Sequence, residues 1–165
     1  MKTNIQIRAA TQRDLPLVCE LDQKLFGCYG GEEEPEILAA RLQAFPDGCR
    51  IFELPTGETV GCITTEKWQS LREPALNENP FETHDPAGTV LNITALAIDT
   101  PYQGQGFGGQ VLYWLEQFCV TQQCSQIVLE TANARAFYER HGYTLINERN
   151  ERGYPLYVLV KAIEL

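Results

Sequence analysis

Histidine is scarce in this chain of 165 residues, which contains only His84 and His141. Its six cysteines are scattered, with no C-x-x-C pair and no neighbouring histidine at zinc spacing. We therefore expect no metal site and interpret most of the cysteines as small buried apolar residues. A cysteine nucleophile would also need a nearby base, and the sequence nominates none.

Basic residues are few as well. The chain has 13 Lys and Arg against 22 Asp and Glu, which gives a formal net charge of −9. This balance disfavours nucleic acid as a partner, because such binding needs a basic patch. No apolar run approaches the ~20 residues that span a bilayer, and the opening residues lack a signal-peptide pattern. We expect one domain over residues 1–165, no membrane partner and a cytoplasmic location; a homodimer is an open alternative.

The most informative segment that the chain does contain is residues 91–109, LNITALAIDTPYQGQGFGG. A strand pattern ends at Asp99, and four glycines then open a helical pattern. Glycine lets the backbone approach a ligand closely, and a helix N-terminus offers free N–H groups and partial positive charge. The segment predicts a phosphate or pyrophosphate cradle between a strand and a helix. The alternative is a glycine-rich turn without a ligand.

One family that uses such a cradle binds dinucleotides. Gly104, Gly106 and Gly109 fit the pattern G-x-G-x-x-G, and Glu130 follows about 20 residues later. A Rossmann half continues as βαβαβ, whereas the chain from Tyr143 onward predicts a β-hairpin. An NAD(P)-binding oxidoreductase is therefore the weaker alternative.

A second pattern fits better. Residues 103–108, QGQGFG, have the form [Q/R]-x-x-G-x-[G/A], and ARAFYERHGY follows at residues 134–143. Over residues 88–143 these motifs resemble the GCN5-related N-acetyltransferase (GNAT) family, whose members use acetyl-CoA. The resemblance implies a mixed α/β fold of element order βααβββαβαββ, with about seven strands in a twisted mixed sheet and about four helices on its two faces. It also implies transfer of an acetyl group from acetyl-CoA to a primary amine of a small molecule or peptide, by direct attack. A catalytically silent CoA-binding module is the alternative.

The cofactor site follows from the same resemblance. Main-chain groups of one strand would bond the pantetheine arm where the strands at residues 89–99 and 126–130 splay apart, and the glycine-rich amides would receive the pyrophosphate. A change of apolar parity predicts a bulge near Ala95 and Leu96, although a strand buried on both faces explains it as well. The expected cofactor-binding residues are Leu96, Ala97, Ile98, Gln103, Gly104, Gln105, Gly106, Phe107, Gly108, Gly109 and Asn133. Asn133 is included because Thr131 occupies the place of an asparagine common in the family; Asn133 either substitutes for it or caps the helix.

Tyr138 is the expected catalytic residue. In the family, the tyrosine of the pattern FY-x-x-x-G-[FY] commonly donates a proton to the departing CoA thiolate. A phenol with a pKa near ~10 is protonated at neutral pH and can act as that acid. The alternative is a core tyrosine beside Phe137. The base is not identified: Asn92 falls where some relatives have a glutamate, which leaves Glu66 or ordered water.

The acceptor in this fold commonly enters opposite the cofactor, past the turn between the last two strands, here residues Asn147 to Gly153, and the loop between the first two helices. Here that loop contains Tyr29, Glu32 and Glu33, which are the expected substrate residues. Adjacent carboxylates beside a tyrosine suit a cationic amine. The alternative is a solvated acidic helix start, since glutamates favour the helix macrodipole there. Residues 69–88 form a long polar segment that the sequence does not place.

Overall fold

The computed structural model, which describes residues 3–165, alternates strands and helices along the chain. The elements are β1 (Gln6–Ala9), α1 (Leu15–Phe26), α2 (Pro35–Ala44), β2 (Arg50–Glu53), β3 (Thr59–Trp68), α3 (Pro80–Thr83), β4 (Val90–Ile98), α4 (Phe107–Thr121), β5 (Gln126–Thr131), α5 (Arg135–Arg140), β6 (Thr144–Glu151) and β7 (Tyr154–Ala162). The predicted order is confirmed, with one addition: the short helix α3 interrupts the polar segment at residues 69–88. Among the described residues, no helix is long and apolar enough to cross a membrane.

The strands form one seven-stranded sheet in the order β1-β2-β3-β4-β5-β7-β6. β4 and β5 pair in parallel, and the other neighbours pair antiparallel. Helices α1 and α2 pack on one face through Val18, Leu21, Leu38 and Leu42. Helix α4 packs on the other face through residues that include Val111 and Leu115. The mixed fold with helices on both faces is therefore confirmed.

The centre of the sheet opens at one end. β4 and β5 pair from Val90 with Gln126 to Ile93 with Leu129, and each strand then continues without the other. Thr94 is an extra residue in β4, because Thr64 and Thr65 of β3 pair with Ala95 and Ile93. The predicted bulge is thus confirmed, and it lies at Thr94, one residue before the expected position. The first part of β4 is also buried on both faces, so both explanations of the parity change hold.

Candidate active site

A cavity of about 810 Å³ lies at the opened end of the sheet, between α4 and α5 and the end of α1. Its walls contain most of the residues predicted to bind the cofactor, together with Tyr138: Leu96, Ala97, Ile98, Gln103, Gly104, Gly106, Phe107, Gly108, Gly109 and Asn133. Gln105 is not among them, and its side-chain Nε2 donates to the Pro101 carbonyl at 3.0 Å. The fold therefore gathers residues from β4, the glycine-rich loop and α5 around one space.

The start of α4 offers this cavity unpaired N–H groups. Gly106 is the N-cap of the helix and has a φ of +87°, a left-handed conformation that favours glycine. Because glycine has no side chain, it cannot accept hydrogen bonds from the first-turn amides, which have no partner within the helix either. Phe107, Gly108 and Gly109 provide those amides, and all three line the cavity. The end of the helix therefore fits a phosphate or pyrophosphate.

Other residues of the glycine-rich motif have packing roles. The Gln103 backbone N–H donates to the Thr100 carbonyl, and its side-chain Nε2 donates to the Ile98 carbonyl at 2.9 Å. The backbone amide of Gln103 is thus already paired, and its side chain shapes the loop. A Cβ at position 108 would lie 2.8 Å from Cζ of Phe137, so glycine there allows α4 to approach α5.

A second, smaller cavity of about 160 Å³ lies on the α1 and α2 face. Polar side chains in its wall are Tyr29, Glu33, Arg41, Asn92, Thr94, Glu130, Thr131, Asn133, Tyr138 and Arg152. An engineered cavity of ~150 Å³ holds one benzene molecule, so this space suits a small group rather than a folded protein surface. Glu32 lies outside the lining of both cavities, whereas Tyr29 lines both and Glu33 lines the smaller one.

The two cavities meet where β4 and β5 separate. Residues that line both are Phe26, Tyr29, Leu96, Asn133, Ala134 and Tyr138. The ring of Tyr138 packs edge-on against Phe137 and Tyr143, with centroids 5.1 and 5.4 Å apart. Burial raises the pKa of Tyr138 above its ordinary value, so the phenol keeps its proton throughout the neutral range.

Asn133 lies where the two cavities meet and lines both of them. Its side-chain Nδ2 donates to the hydroxyl of Tyr29 at 3.0 Å, and Tyr29 packs edge-on against Tyr154. The turn before α5 is instead held by Thr131, whose Oγ1 accepts from the Ala134 backbone N–H at 3.1 Å. The interpretation of Asn133 as a helix cap is therefore wrong.

One alternative placed Glu33 in a solvated helix start, but the side chain of Glu33 is buried. Its carboxylate accepts two hydrogen bonds from Arg41, through Nε and Nη2, each at 2.8 Å. The Asn77 backbone N–H adds a third at 2.9 Å, and both charged side chains are buried. Beneath them, Asp22 accepts from the Glu33 backbone N–H, and burial raises the pKa of Asp22 to about 6.

Glu66 is not placed to act as a base. It pairs with Asn92 across β3 and β4, but it does not line the smaller cavity. Its two oxygens accept hydrogen bonds from Trp68 Nε1 at 3.0 Å and Thr83 Oγ1 at 2.6 Å. Asn92 does line the cavity, and its Oδ1 atom is buried without a hydrogen-bond partner among residues 3–165.

The polar segment that the sequence could not place covers the smaller cavity. Pro74, Ala75 and Leu76 form part of its wall. Glu73 accepts hydrogen bonds from Asn147 at 2.8 Å and Arg149 at 3.2 Å, both on β6. On the other side of these three apolar residues, the Asn77 backbone N–H donates a hydrogen bond to Glu33. Hydrogen bonds therefore hold the segment both before Pro74 and after Leu76.

Sequence reasoning missed Arg41 and assigned Glu130 only to the dinucleotide alternative, whereas Arg152 lies in the turn expected beside the acceptor. Glu130 follows the last residue of β5 that pairs with the parallel strand β4. Ligands in open α/β sheets bind beyond the carboxyl ends of such strands, which is the signal that identifies this residue. Arg41 gives no comparable signal, because only packing of α2 on the sheet brings it to the cavity.

The acetyltransferase (GNAT) family model matches residues 15–143, well over half of the chain. No curated protein sequence matches the chain significantly. The loading GNATL domain of CurA from Lyngbya majuscula is 16% identical, with a TM-score of 0.81 over 96% of this chain and 98% of that one.

Two further solved structures are similar to this chain. Ard1 from Thermoplasma volcanium is 15% identical, with a TM-score of 0.76 over 98% of this chain and 99% of that one. YncA from Salmonella typhimurium, solved with its cofactor acetyl-CoA, is 15% identical, with a TM-score of 0.68 over 97% and 94%. Structural similarity at 15–16% sequence identity establishes the fold alone. The assignment to the family rests on the match of residues 15–143 to the family's sequence model.

Proposed function

The chain belongs to the GNAT acetyltransferase family, and we propose on that premise that it transfers the acetyl group of acetyl-CoA to a small primary amine. One observation carries this proposal: two cavities meet at the β4–β5 opening, and Tyr138 lines both. The larger space suits the cofactor and the smaller one the acceptor. Such a junction would bring an amine to a thioester while the two molecules enter from different sides.

Acetyl-CoA would supply an activated acetyl thioester, and the residues of this chain would hold and orient it. The free amides at the start of α4 would bind the pyrophosphate. Beyond Ile93, the β4 backbone has lost its β5 partner and can bond a pantetheine arm in the manner of an added strand. The bulge at Thr94 turns the backbone at this place, which suits an N–H aimed at the thioester carbonyl.

Tyr138 would donate its proton to the departing thiolate. A thiol in water has a pKa near ~8.5, lower than that of the buried phenol, so this transfer would be unfavourable if the thiolate were solvated. Burial at the same junction raises the energy of the thiolate as well, because both anions lose water. The proposal therefore depends on exclusion of water around the sulfur by Phe26, Leu96 and Ala134, which line the junction.

The acceptor class follows from the smaller cavity. Its volume suits a small amine, a single side chain or the first residue of a peptide, and the roof at residues 74–76 would have to move for anything larger. Two carboxylates and two guanidinium groups line it, at Glu33, Glu130, Arg41 and Arg152. This balance gives less support to a cationic acceptor than the acidic sequence alone does.

Calorimetric titration with acetyl-CoA, CoA and NADH tests the cofactor, and a panel of primary amines with release of free thiol as the readout tests the activity. We expect saturable binding of both CoA species, no binding of NADH, and thiol release with at least one amine. Binding of NADH without a response to CoA would reject the assignment. Binding of acetyl-CoA with no amine consumed would instead favour the silent module.

A further inference from the structure

Two buried polar atoms in the wall of the smaller cavity have no hydrogen-bond partner among residues 3–165. They are Nη1 of Arg41 and Oδ1 of Asn92, and both residues line the cavity. Each of these residues is only 2% exposed. Buried polar atoms in native structures are nearly always paired, so an unpaired donor and an unpaired acceptor in one wall point to a group that binds between them.

The packing of α2 on the sheet brings these two atoms to the same part of the cavity. Leu91 and Ile93 pack in the core on the α4 face, so the side chain of Asn92 between them points towards α2. Asn92 pairs with Glu66 across β3 and β4, and Glu66 Oε2 lies 3.8 Å from Arg41 Nη1. The donor and the acceptor therefore flank the same carboxylate, yet they do not bond to each other.

The charge of Arg41 is already balanced, which argues against an anionic ligand group. Its Nε and Nη2 atoms donate to the two oxygens of Glu33, each at 2.8 Å, and Glu66 is a second carboxylate beside Nη1. All three side chains are buried. A ligand carboxylate would be a third anion around one guanidinium, and it would lose its water without gaining a cation of its own.

Hydrogen bonding argues against a cationic ligand group at the same place. An ammonium has three donors and no acceptor, so it cannot pair with Arg41 Nη1. An apolar group would leave both buried atoms unpaired. A neutral group that accepts one hydrogen bond and donates another satisfies both atoms. A carboxamide and a hydroxyl have this property.

We propose that the acceptor amine contains a neutral carboxamide or hydroxyl group, which Arg41 and Asn92 recognise. This inference rests on the proposed function. The oxygen of the group accepts from Arg41 Nη1, and its N–H or O–H donates to Asn92 Oδ1. Asn92 precedes the bulge at Thr94 by two residues, or ~7 Å along β4, and the cavity extends from there to Tyr138. A spacer of one or two carbons between the amine and the neutral group suits this distance.

Amines of matched shape test the recognition. In one series, 3-aminopropanamide, β-alanine and 3-methylbutylamine present an amide, a carboxylate and an apolar group. Glycinamide, glycine and 2-methylpropylamine repeat this series with a shorter spacer, and 3-amino-1-propanol is compared with butylamine for the hydroxyl. The readout is kcat/KM from thiol release, expressed per concentration of unprotonated amine. We expect the amide or the alcohol to exceed its counterparts at least ~10-fold, because each counterpart leaves buried polar atoms unpaired.

Asn92→Leu removes the acceptor atom while keeping a side chain of similar size. The ratio of kcat/KM between the neutral amine and its apolar counterpart should then fall to about one, while acetyl-CoA affinity stays normal. Asn92→Ala gives the same readout if the leucine variant does not fold. Thr65→Val is the matched control, because it also makes a buried polar side chain apolar, on β3 outside the cavity. This control should keep the ratio of the wild type.

The wild type alone can overturn the inference. Equal kcat/KM for the neutral and the apolar amines would assign both unpaired atoms to an ordered water, and a preference for the carboxylates would contradict the balanced charge of Arg41. A folded Asn92→Leu variant that keeps the wild-type ratio would also refute the role of Asn92. A wild type that consumes no amine overturns the proposed function itself, whereas an active wild type without the preference isolates the failure to this inference.

Discussion

The side-chain Nδ2 of Asn133 lies 3.0 Å from the hydroxyl oxygen of Tyr29 and donates a hydrogen bond to it. This bond joins the turn before α5 to the loop after α1, directly across the junction of the two cavities. The two residues are 104 positions apart in the sequence, so the contact exists only because the sheet brings both loops to the same end.

The first prediction is that Asn133 and Tyr29 act on cofactor binding together. Acetyl-CoA affinity measured for Asn133→Ala, Tyr29→Phe and the double variant should give a coupling energy of at least ~0.5 kcal/mol, because each single change removes the same hydrogen bond. Additive effects within ~0.3 kcal/mol would show that the two residues contact the cofactor independently or not at all.

The second prediction concerns the proton donor. Tyr138→Phe should lower kcat about 10²–10⁴-fold while leaving acetyl-CoA affinity nearly unchanged, since only the phenolic hydroxyl is lost. Tyr143→Phe is the control: its ring packs against Tyr138, and its buried hydroxyl has no hydrogen-bond partner among the described residues. Steady-state kinetics should show that this variant retains activity. Equal losses in the two variants would assign Tyr138 to packing.

The third prediction concerns the position of the phosphate-binding site at the start of α4. Gly106→Val should weaken acetyl-CoA binding at least ~10-fold, because a β-branched residue at a φ of +87° is strained and crowds the approach to the first-turn amides. Gly153→Val imposes a similar strain at a φ of +82° in the β6–β7 turn. Calorimetric titration of both variants separates strain from the loss of a binding surface. Normal affinity in Gly106→Val would mean that the phosphates bind elsewhere.

The fourth prediction is that Glu33 and Glu32 behave differently. Glu33→Gln should reduce the free energy of unfolding by about 1.5–3 kcal/mol, because Arg41 loses two short hydrogen bonds to a carboxylate and keeps only Glu66, 3.8 Å away, as a charged partner. Glu32→Gln should change stability little and test the cationic-acceptor hypothesis through KM at low salt. Urea unfolding provides the stability measurement. No measurable effect of Glu33→Gln would contradict this prediction and would mean that Glu66 or water compensates the charge of Arg41.

The fifth prediction concerns Asp22, whose pKa burial raises to about 6 from 3.8. Between these values the folded protein binds more protons than the unfolded chain, so the contribution of Asp22 to stability falls as pH rises from about 4 to about 6. Asp22→Asn should therefore be neutral near pH 4 and stabilising by up to about 3 kcal/mol above pH 6. A gain that does not depend on pH would contradict the raised pKa.

The positions of the helices and strands could be predicted from the sequence because their signals are local. Apolar periodicity and the glycines after Pro101 marked the strand β4 and the helix α4, and the change of parity marked the bulge now seen at Thr94. The two motifs around Gly106 and Tyr138 gave the family and a cofactor site that the fold gathers into one cavity, apart from Gln105.

Only the tertiary structure decided which side chains face the smaller cavity. Three adjacent glutamates looked equivalent in sequence, yet packing buries Glu33 against Arg41 and leaves Glu34 exposed. The segment at residues 69–88 has no periodicity, and its place over the smaller cavity depends on contacts of Glu73 with β6 and of Asn77 with Glu33. Glu130 lines that cavity because β4 and β5 separate after Leu129. Local sequence patterns determine where helices and strands begin and end. A site assembled from residues far apart in the sequence depends on long-range packing, which local patterns do not encode.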